Sequence, residues 1–202
     1  MSQEHVYPES DTATLELLEF IEQKGIDTSS PGWRTSLPKP PKVPFSSELT
    51  YHWVLRTNRG TLKVRLMPDV APMHVASTLY LTLLGFYDGL KFHRIIPNFM
   101  AQGGCPLGTG TGGPGYQYEG EFGDEQHDRP GLLSMANAGP GTDGSQFFLT
   151  FVPTSWLDGA HSIFGEVVEG QEVLPEIEKR GSEPSGRPVE TVVLEQATVS
   201  VE

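Results

Sequence analysis

In the stretch FHRIIPNFMAQGG, Phe92 to Gly104, an arginine and an amide stand among apolar residues. Arg94 lies between Phe92 and Ile96, and Gln102 comes just before Gly103 and Gly104. A buried strand does not carry an unpartnered guanidinium, because burying an unpaired charge costs several kcal/mol. Arg94 therefore needs a partner or an open face, and on an open face it is a planar, always-charged hydrogen-bond donor. Other chemistries suggest themselves and fail. Gly108–Gly113, GTGTGG, matches G-x-G-x-x-G, but that fingerprint needs a strand before it and a helix after it to hold a pyrophosphate. Here Cys105-Pro106 precede it and Pro114-Gly115 follow it, so a glycine loop passing close to other backbone is the better reading. No Lys-Ser or Lys-Thr follows, which excludes a Walker loop. The 6 histidines include no pair with zinc-ligand spacing to Cys or Glu, so no metal is expected. Ser145, His161 and Asp158 assemble a Ser/His/Asp set on paper, but Ser145 is not in a G-x-S-x-G elbow. Cys105 has no base near it in sequence and reads as an ordinary thiol.

The elements that must hold these residues are short. YHWVLRT and TLKVRLM alternate apolar and polar residues around Asn58-Arg59-Gly60, the pattern of a β-hairpin. APMHVASTLYLTLLGFYDG has helical spacing, with Pro72 in its first turn and Gly85 at its end. Strand-like runs follow at Leu90–Ile96, Asn98–Gln102, Gly131–Met135, Gln146–Thr150, Ser162–Glu166 and Thr191–Val201, with a short helix over Gln171–Arg180. Many short strands and two helices in the main body predict a barrel or sandwich. Residues 1–48 form an extension ahead of a main domain at 49–202. Its first ten residues read as disordered. TATLELLEFIEQK, residues 12–24, reads as a helix capped by Asp11 and Gly25. Leu15, Leu18 and Ile21 form its apolar stripe, with Leu17 and Phe20 beside it. A helix so short is marginal alone, so it is expected to dock on the main body. Thr28 to Pro44 holds five prolines and reads as an extended, semi-rigid linker.

The chain of 202 residues carries a net charge of −12 and no basic run, which argues against binding a phosphate backbone. Its one cysteine cannot make an internal disulfide. MSQEHVYPES lacks the basic start and apolar core of a signal peptide, and no apolar run approaches the ~18 residues of a membrane span. A cytoplasmic protein, with no membrane or nucleic-acid partner and acting as a monomer, is the expectation.

Three blocks in order, FHRIIPNFMAQGG, LSMANAGPGTDGSQFF (Leu133–Phe148) and WLDGAHSIFGEVVEG (Trp156–Gly170), with the glycine loop between the first two, resemble the cyclophilin family of peptidyl-prolyl cis/trans isomerases. The resemblance runs from about Leu55 to Val201. It implies a mainly β fold, a closed eight-stranded antiparallel barrel capped by two α-helices, with the substrate groove on its outer face. It also implies that Arg94 is the catalytic arginine and that Phe99 and Met100 line a proline pocket with Phe148 and Leu157. Gln102 and the backbone at Asn137 would grip the peptide, with Ala136 and Ala138 along the groove. Trp156 would stand at the rim and His161 would close one side. His93, Gly110, Thr111 and Gln146 would support the groove. Cys105, where many members have Asp, the Pro114-Gly115 loop and the N-terminal fifty residues depart from the family pattern.

The implied reaction needs neither cofactor nor metal. Amide resonance holds an X-Pro bond planar behind a barrier of ~18–20 kcal/mol. In the twisted state the proline nitrogen is pyramidal and has a free lone pair, which a fixed guanidinium can hydrogen-bond. The expected substrates are proline-containing peptides and proteins, and Trp156 implies cyclosporin binding. Two rival functions remain in view: a proline-peptide-binding module without turnover, and an acidic chaperone whose N-terminal segment does the work. Nothing in the sequence ties that segment to the groove.

Overall fold

The computed structural model describes residues 5–202. The alternating runs form the hairpin β1 (Tyr51–Thr57) and β2 (Gly60–Leu66). Trp53, Leu55, Leu62 and Val64 face the core, while Arg56, Thr61 and Arg65 stay outside, as a period of two requires. The other strands are β3 (Leu90–Lys91), β4 (Arg94–Ile96), β5 (Met100–Gly103), β6 (Leu132–Met135), β7 (Phe147–Thr150), β8 (Ile163–Glu169) and β9 (Val193–Val201). They pair antiparallel in the order β3-β9-β1-β2-β8-β6-β7-β5-β4.

The two ends of that order are one piece of chain. Only Phe92 and His93 separate β3 from β4, and the Phe92 N–H still donates to the Val192 carbonyl at 3.0 Å. The run Leu90–Ile96 thus pairs with β9 through its first part and with β5 through its last. This bent strand closes the sheet on itself. Counted once, it reduces the nine strands found among the described residues to the expected eight. The interior is packed by side chains: Trp53, Tyr87, Phe92 and Phe147 meet edge to face with ring centroids 4.9–5.9 Å apart.

Helices α2 (Pro72–Leu83) and α3 (Val173–Glu178) cover the barrel. The second is shorter than the predicted 171–180. No side chain of its own N-cap residue, Ala71, caps α2. The Glu121 carboxylate does so from a distant loop, accepting the N–H groups of Met73 at 3.0 Å and His74 at 3.1 Å. The fully buried His74 ring joins this cap to another loop. Its Nδ1 lies 2.7 Å from Glu121 Oε2 and its Nε2 2.7 Å from Asp143 Oδ2. Burial opposes a charge on the ring, but hydrogen bonds to Asp143 and Glu121 outweigh it and hold the His74 pKa above its ordinary value. Two carboxylates can both accept only from an imidazolium.

The first helix, α1 (Thr12–Lys24), has the expected bounds and caps. Asp11 Oδ1 accepts the Thr14 N–H at 3.2 Å, and Gly25 takes the left-handed conformation. Its buried face differs from the predicted stripe. Ala13, Thr14 and Leu17 are buried, Phe20 and Ile21 partly so, and Leu15 is 43% exposed. The docking direction selects the side that carries Ala13, whose small side chain allows close approach, and Phe20 packs edge to face on Tyr80 of α2 at 5.7 Å. Part of the predicted disorder at 1–10 lies outside the described residues. The rest is corrected: Val6 donates to Val199 at 2.9 Å and accepts from Val201 at 2.7 Å, beside β9. Backbone pairing there satisfies groups that composition alone leaves unassigned. Among the described residues no helix is long and apolar enough to cross a membrane.

Two outcomes follow. Asp11 caps α1 and also accepts the Tyr51 hydroxyl at 3.0 Å, so Asp11→Ala should lower stability by about 1–3 kcal/mol, measured by thermal melting. The His74 cluster makes stability depend on pH from both sides. His74 is raised in the fold, so its contribution is full below its ordinary pKa of 6.5 and is lost as pH rises through the folded value. Glu121 is depressed: burial alone would raise it, but its bonds to His74 and the α2 backbone prevail. Its contribution is full above its ordinary 4.5 and is lost as pH falls through the folded value. His74→Gln should flatten the alkaline arm of melting temperature against pH.

Candidate active site

Antiparallel register places Arg94 of β4 opposite Gln102 of β5, and Gln102 opposite Phe148 of β7. Strict alternation would put Phe92, Arg94 and Ile96 on one face. The bend between β3 and β4 breaks that parity, so Phe92 and Ile95 are buried while Arg94 is exposed. Among the described residues no carboxylate lies within ion-pair distance of Arg94. Its Nη1 donates to Gln102 Oε1 at 3.4 Å. Gln102 Nε2 donates to Gln146 Oε1 at 3.0 Å, and Gln146 Nε2 to the carbonyls of Gly110 at 3.0 Å and Gly112 at 2.8 Å. The stem of Arg94 lies over Gly186, where an added Cβ would come within 2.8 Å of Arg94 Cγ. Burial, together with the neighbouring Arg94 charge, lowers the pKa of His93.

Next to this polar row in the sheet stand apolar residues, with Phe148 paired to Gln102 and Met100 to Ile96. Met100 and Phe148 are buried, and Phe99, Leu157 and His161 are half-buried. Asn98, in the left-handed region at φ 56°, makes the turn that leads into Phe99, a conformation asparagine tolerates. His161 meets Phe148 edge to face at 5.5 Å, and its Nδ1 donates to the Met135 carbonyl at 2.8 Å. Trp156, 64% exposed, stands 5.6 Å from Phe99. Gln102 also lines a recess of ≈ 380 Å³, together with Gly110, Thr111, Ala136, Asn137, Ala138 and Gln146. The Asn137 side chain is already engaged, donating to the Ala160 carbonyl at 3.0 Å and accepting the Gly139 N–H at 3.2 Å. Of the residues that the family pattern singles out, Gln102, Gly110, Thr111, Ala136, Asn137, Ala138 and Gln146 thus line one recess, Arg94 is bonded to Gln102, and Phe148 meets His161 as Phe99 meets Trp156.

The paper triad does not assemble. Ser145 is buried and donates to the Gly104 carbonyl at 2.8 Å. Asp158 instead meets His127, with Oδ1 at 2.7 Å from Nδ1, and His127 Nε2 lies 2.9 Å from Ser134 Oγ. Ser134 is fully buried, so this Asp-His-Ser row has no access to a substrate. Burial lowers the His127 pKa despite Asp158. The His127 ring stacks parallel to Phe148 at 6.2 Å. Sequence reading missed His127, since its partners lie 7 and 31 residues away. It also undervalued Cys105, on whose Sγ the N–H groups of Gly110 and Gly112 converge at 3.3 Å. Burial pushes that thiol up, but backbone donors from Gly112, Leu107, Thr109 and Gly110 prevail and lower it. The glycine loop is thus wrapped around a sulfur, not around a phosphate.

The cyclophilin type peptidyl-prolyl cis-trans isomerase/CLD family model matches residues 52–199. Peptidyl-prolyl cis-trans isomerase B of Streptomyces anulatus is 47% identical over 164 residues, covering 72% of this chain and 94% of that protein. Peptidyl-prolyl cis-trans isomerase-like 2 of Cryptococcus neoformans is 46% identical over 170 residues, covering 81% of this chain. The matched region spans only 30% of that relative's length. A solved Cryptosporidium parvum cyclophilin type isomerase, determined in the presence of the dipeptide Ala-Pro, superposes with a TM-score of 0.70 at 35% identity, over 73% of this chain and 98% of that one. With the barrel, the groove and these matches in agreement, the chain belongs to the cyclophilin-type peptidyl-prolyl cis-trans isomerase family.

Proposed function

We propose that this chain accelerates rotation about X-Pro bonds in peptides and proteins, with Arg94 as the decisive donor. One observation carries the proposal: Arg94 is exposed, is not neutralised by a carboxylate among the described residues, and donates to Gln102 across the β4–β5 pair. The hollow of Phe99, Met100, Phe148 and Leu157 takes the proline ring. Gln102 and the Asn137 backbone hold the chain on one side of the bond, so the other side can turn. The guanidinium donates to the proline nitrogen only as that nitrogen becomes pyramidal. That bond is stronger in the twisted state than in either planar one, which is the condition for raising kcat. The Ala-Pro dipeptide used with the Cryptosporidium parvum relative is the smallest ligand of this chemistry.

Arg94→Ala should lower kcat/KM on a proline tetrapeptide by at least ~100-fold, since one transition-state donor contributes ~3 kcal/mol. Arg94→Lys should not restore it, because lysine lacks the planar fork. Wild-type activity in the alanine variant would remove Arg94 from the mechanism. Peptide binding without turnover in the wild type would favour the binding-module rival.

Trp156 supports sensitivity to cyclosporin: its indole is 64% exposed and, in this reading, packs against the drug and donates its N–H. Inhibition by micromolar drug should be seen in the wild type and be weakened in Trp156→Ala. An active wild type that ignores the drug at that concentration would refute this.

A further inference from the structure

The N-terminal segment does more than dock. Residues 33–40 are clamped on the body from two sides. Trp33 packs edge to face on Phe86 at 6.3 Å, and Arg34 Nη2 donates to the Asp88 carbonyl at 3.0 Å. Leu37 and Pro40 are buried, and Lys39 lies over the Tyr118 ring at 5.9 Å. What this clamp holds is the loop that follows the glycines. The Leu37 N–H donates to the Pro114 carbonyl at 2.9 Å. A Cβ on Gly115, at φ +103°, would fall 2.8 Å from Leu37 N and 2.9 Å from Ser36 Cα and Thr35 O. Those distances are shorter than real Cβ contacts, so loop and segment are fitted backbone to backbone.

The same loop is a wall of the recess next to the proline hollow. Gly113, Pro114, Tyr116 and Gln117 line it together with Gln102, Asn137 and Gln146. Pro114 is buried, and a Cβ on Gly144 would meet its Cδ at 3.2 Å. Gly144 is two residues before Gln146. Tyr118 is joined to Asp143 by two backbone hydrogen bonds of 3.0 and 3.2 Å. A path therefore runs from Leu37 by hydrogen bond to Pro114, by close approach to Gly144, along the backbone to Gln146 and by hydrogen bond to Gln102.

We propose that residues 33–40 buttress the outer wall of this recess, so that the N-terminal segment sets how tightly the chain holds peptides that reach beyond the proline hollow. This rests on the isomerase reading and deepens it: the preferred substrates are extended segments of protein chain, not isolated X-Pro pairs. Among the described residues no hydrogen bond, ion pair or ring contact joins residues 33–40 to Arg94, Phe99, Met100, Phe148 or Leu157, so the step at the proline nitrogen is independent of them. Leu37 and Gly115 act through the loop and are positioning residues.

The test compares a capped tetrapeptide, Ala-Ala-Pro-Phe, with a decapeptide that has Ala-Pro at its centre. Leu37→Ala removes the buried anchor from the segment side, and Gly115→Ala forces the two backbones apart from the loop side. Each should raise KM for the decapeptide about fivefold or more, the lower end of coupling between packed sites. Each should leave kcat for both peptides, and kcat/KM for the tetrapeptide, within about twofold of wild type, a difference well under 1 kcal/mol. Equal losses on both peptides in a folded variant, or no loss on either, would overturn the proposal. Amide exchange in the unaltered full chain gives a second readout that needs no variant. By reciprocity, saturation with decapeptide should slow exchange of the Leu37 N–H, and saturation with tetrapeptide should not. Unchanged Leu37 exchange with decapeptide bound would overturn the buttress. A wild type that binds the decapeptide with this protection but isomerises neither peptide would instead overturn the isomerase reading and leave the buttress standing.

Discussion

The bend at Phe92 and His93 is the constraint on which barrel and site both depend. One strand pairs with β9 and then with β5, and so joins the two edges of the sheet. Turning there satisfies backbone groups that an open edge would leave exposed. It also shifts the parity of the side chains. Phe92 drops into the aromatic cluster with Phe147, while Arg94 emerges on the outer surface. The event that closes the core thus delivers the charged donor to the groove with its hydration intact, and a guanidinium within an apolar run carries no burial penalty.

Around that donor the groove is built as two unlike halves. One side is apolar, with Phe148 stacked on a His127 that is held by Asp158 and Ser134. The other side is a row of amides, Gln102 and Gln146, anchored to carbonyls of a glycine loop folded around the Cys105 sulfur. Each amide proton that is spent inside the protein fixes the orientation of the next group. A preorganised donor needs no rearrangement when charge develops on the substrate, and this row holds Gln102 in place beside Arg94.

Buried charge is concentrated away from the groove. His74, Glu121 and Asp143 form a cluster that caps α2 and pins the segment leading to Gln146. A buried imidazolium between two carboxylates is stable only as a set, because removing one partner leaves the others uncompensated.

The residue order alone specified a good deal. The β1–β2 hairpin, α2, the caps of α1 and the run Leu90–Ile96 were legible because hydrophobic periodicity and turn residues act over a few positions. The residues proposed for the groove come from three ordered blocks that resemble a known family. Tertiary structure decided what depends on distant partners. It turned the buried face of α1 away from Leu15, because docking on α2 and not local amphipathicity selects the side. It dissolved the Ser145, His161 and Asp158 set and gave Asp158 to His127, since sequence spacing says nothing about which loops meet. It paired Val6 with β9 and laid residues 33–40 against Pro114 and Gly115. Proline content predicts an extended segment but not the surface that the segment will cover. That choice is made by packing among residues tens of positions apart, and no local pattern encodes it.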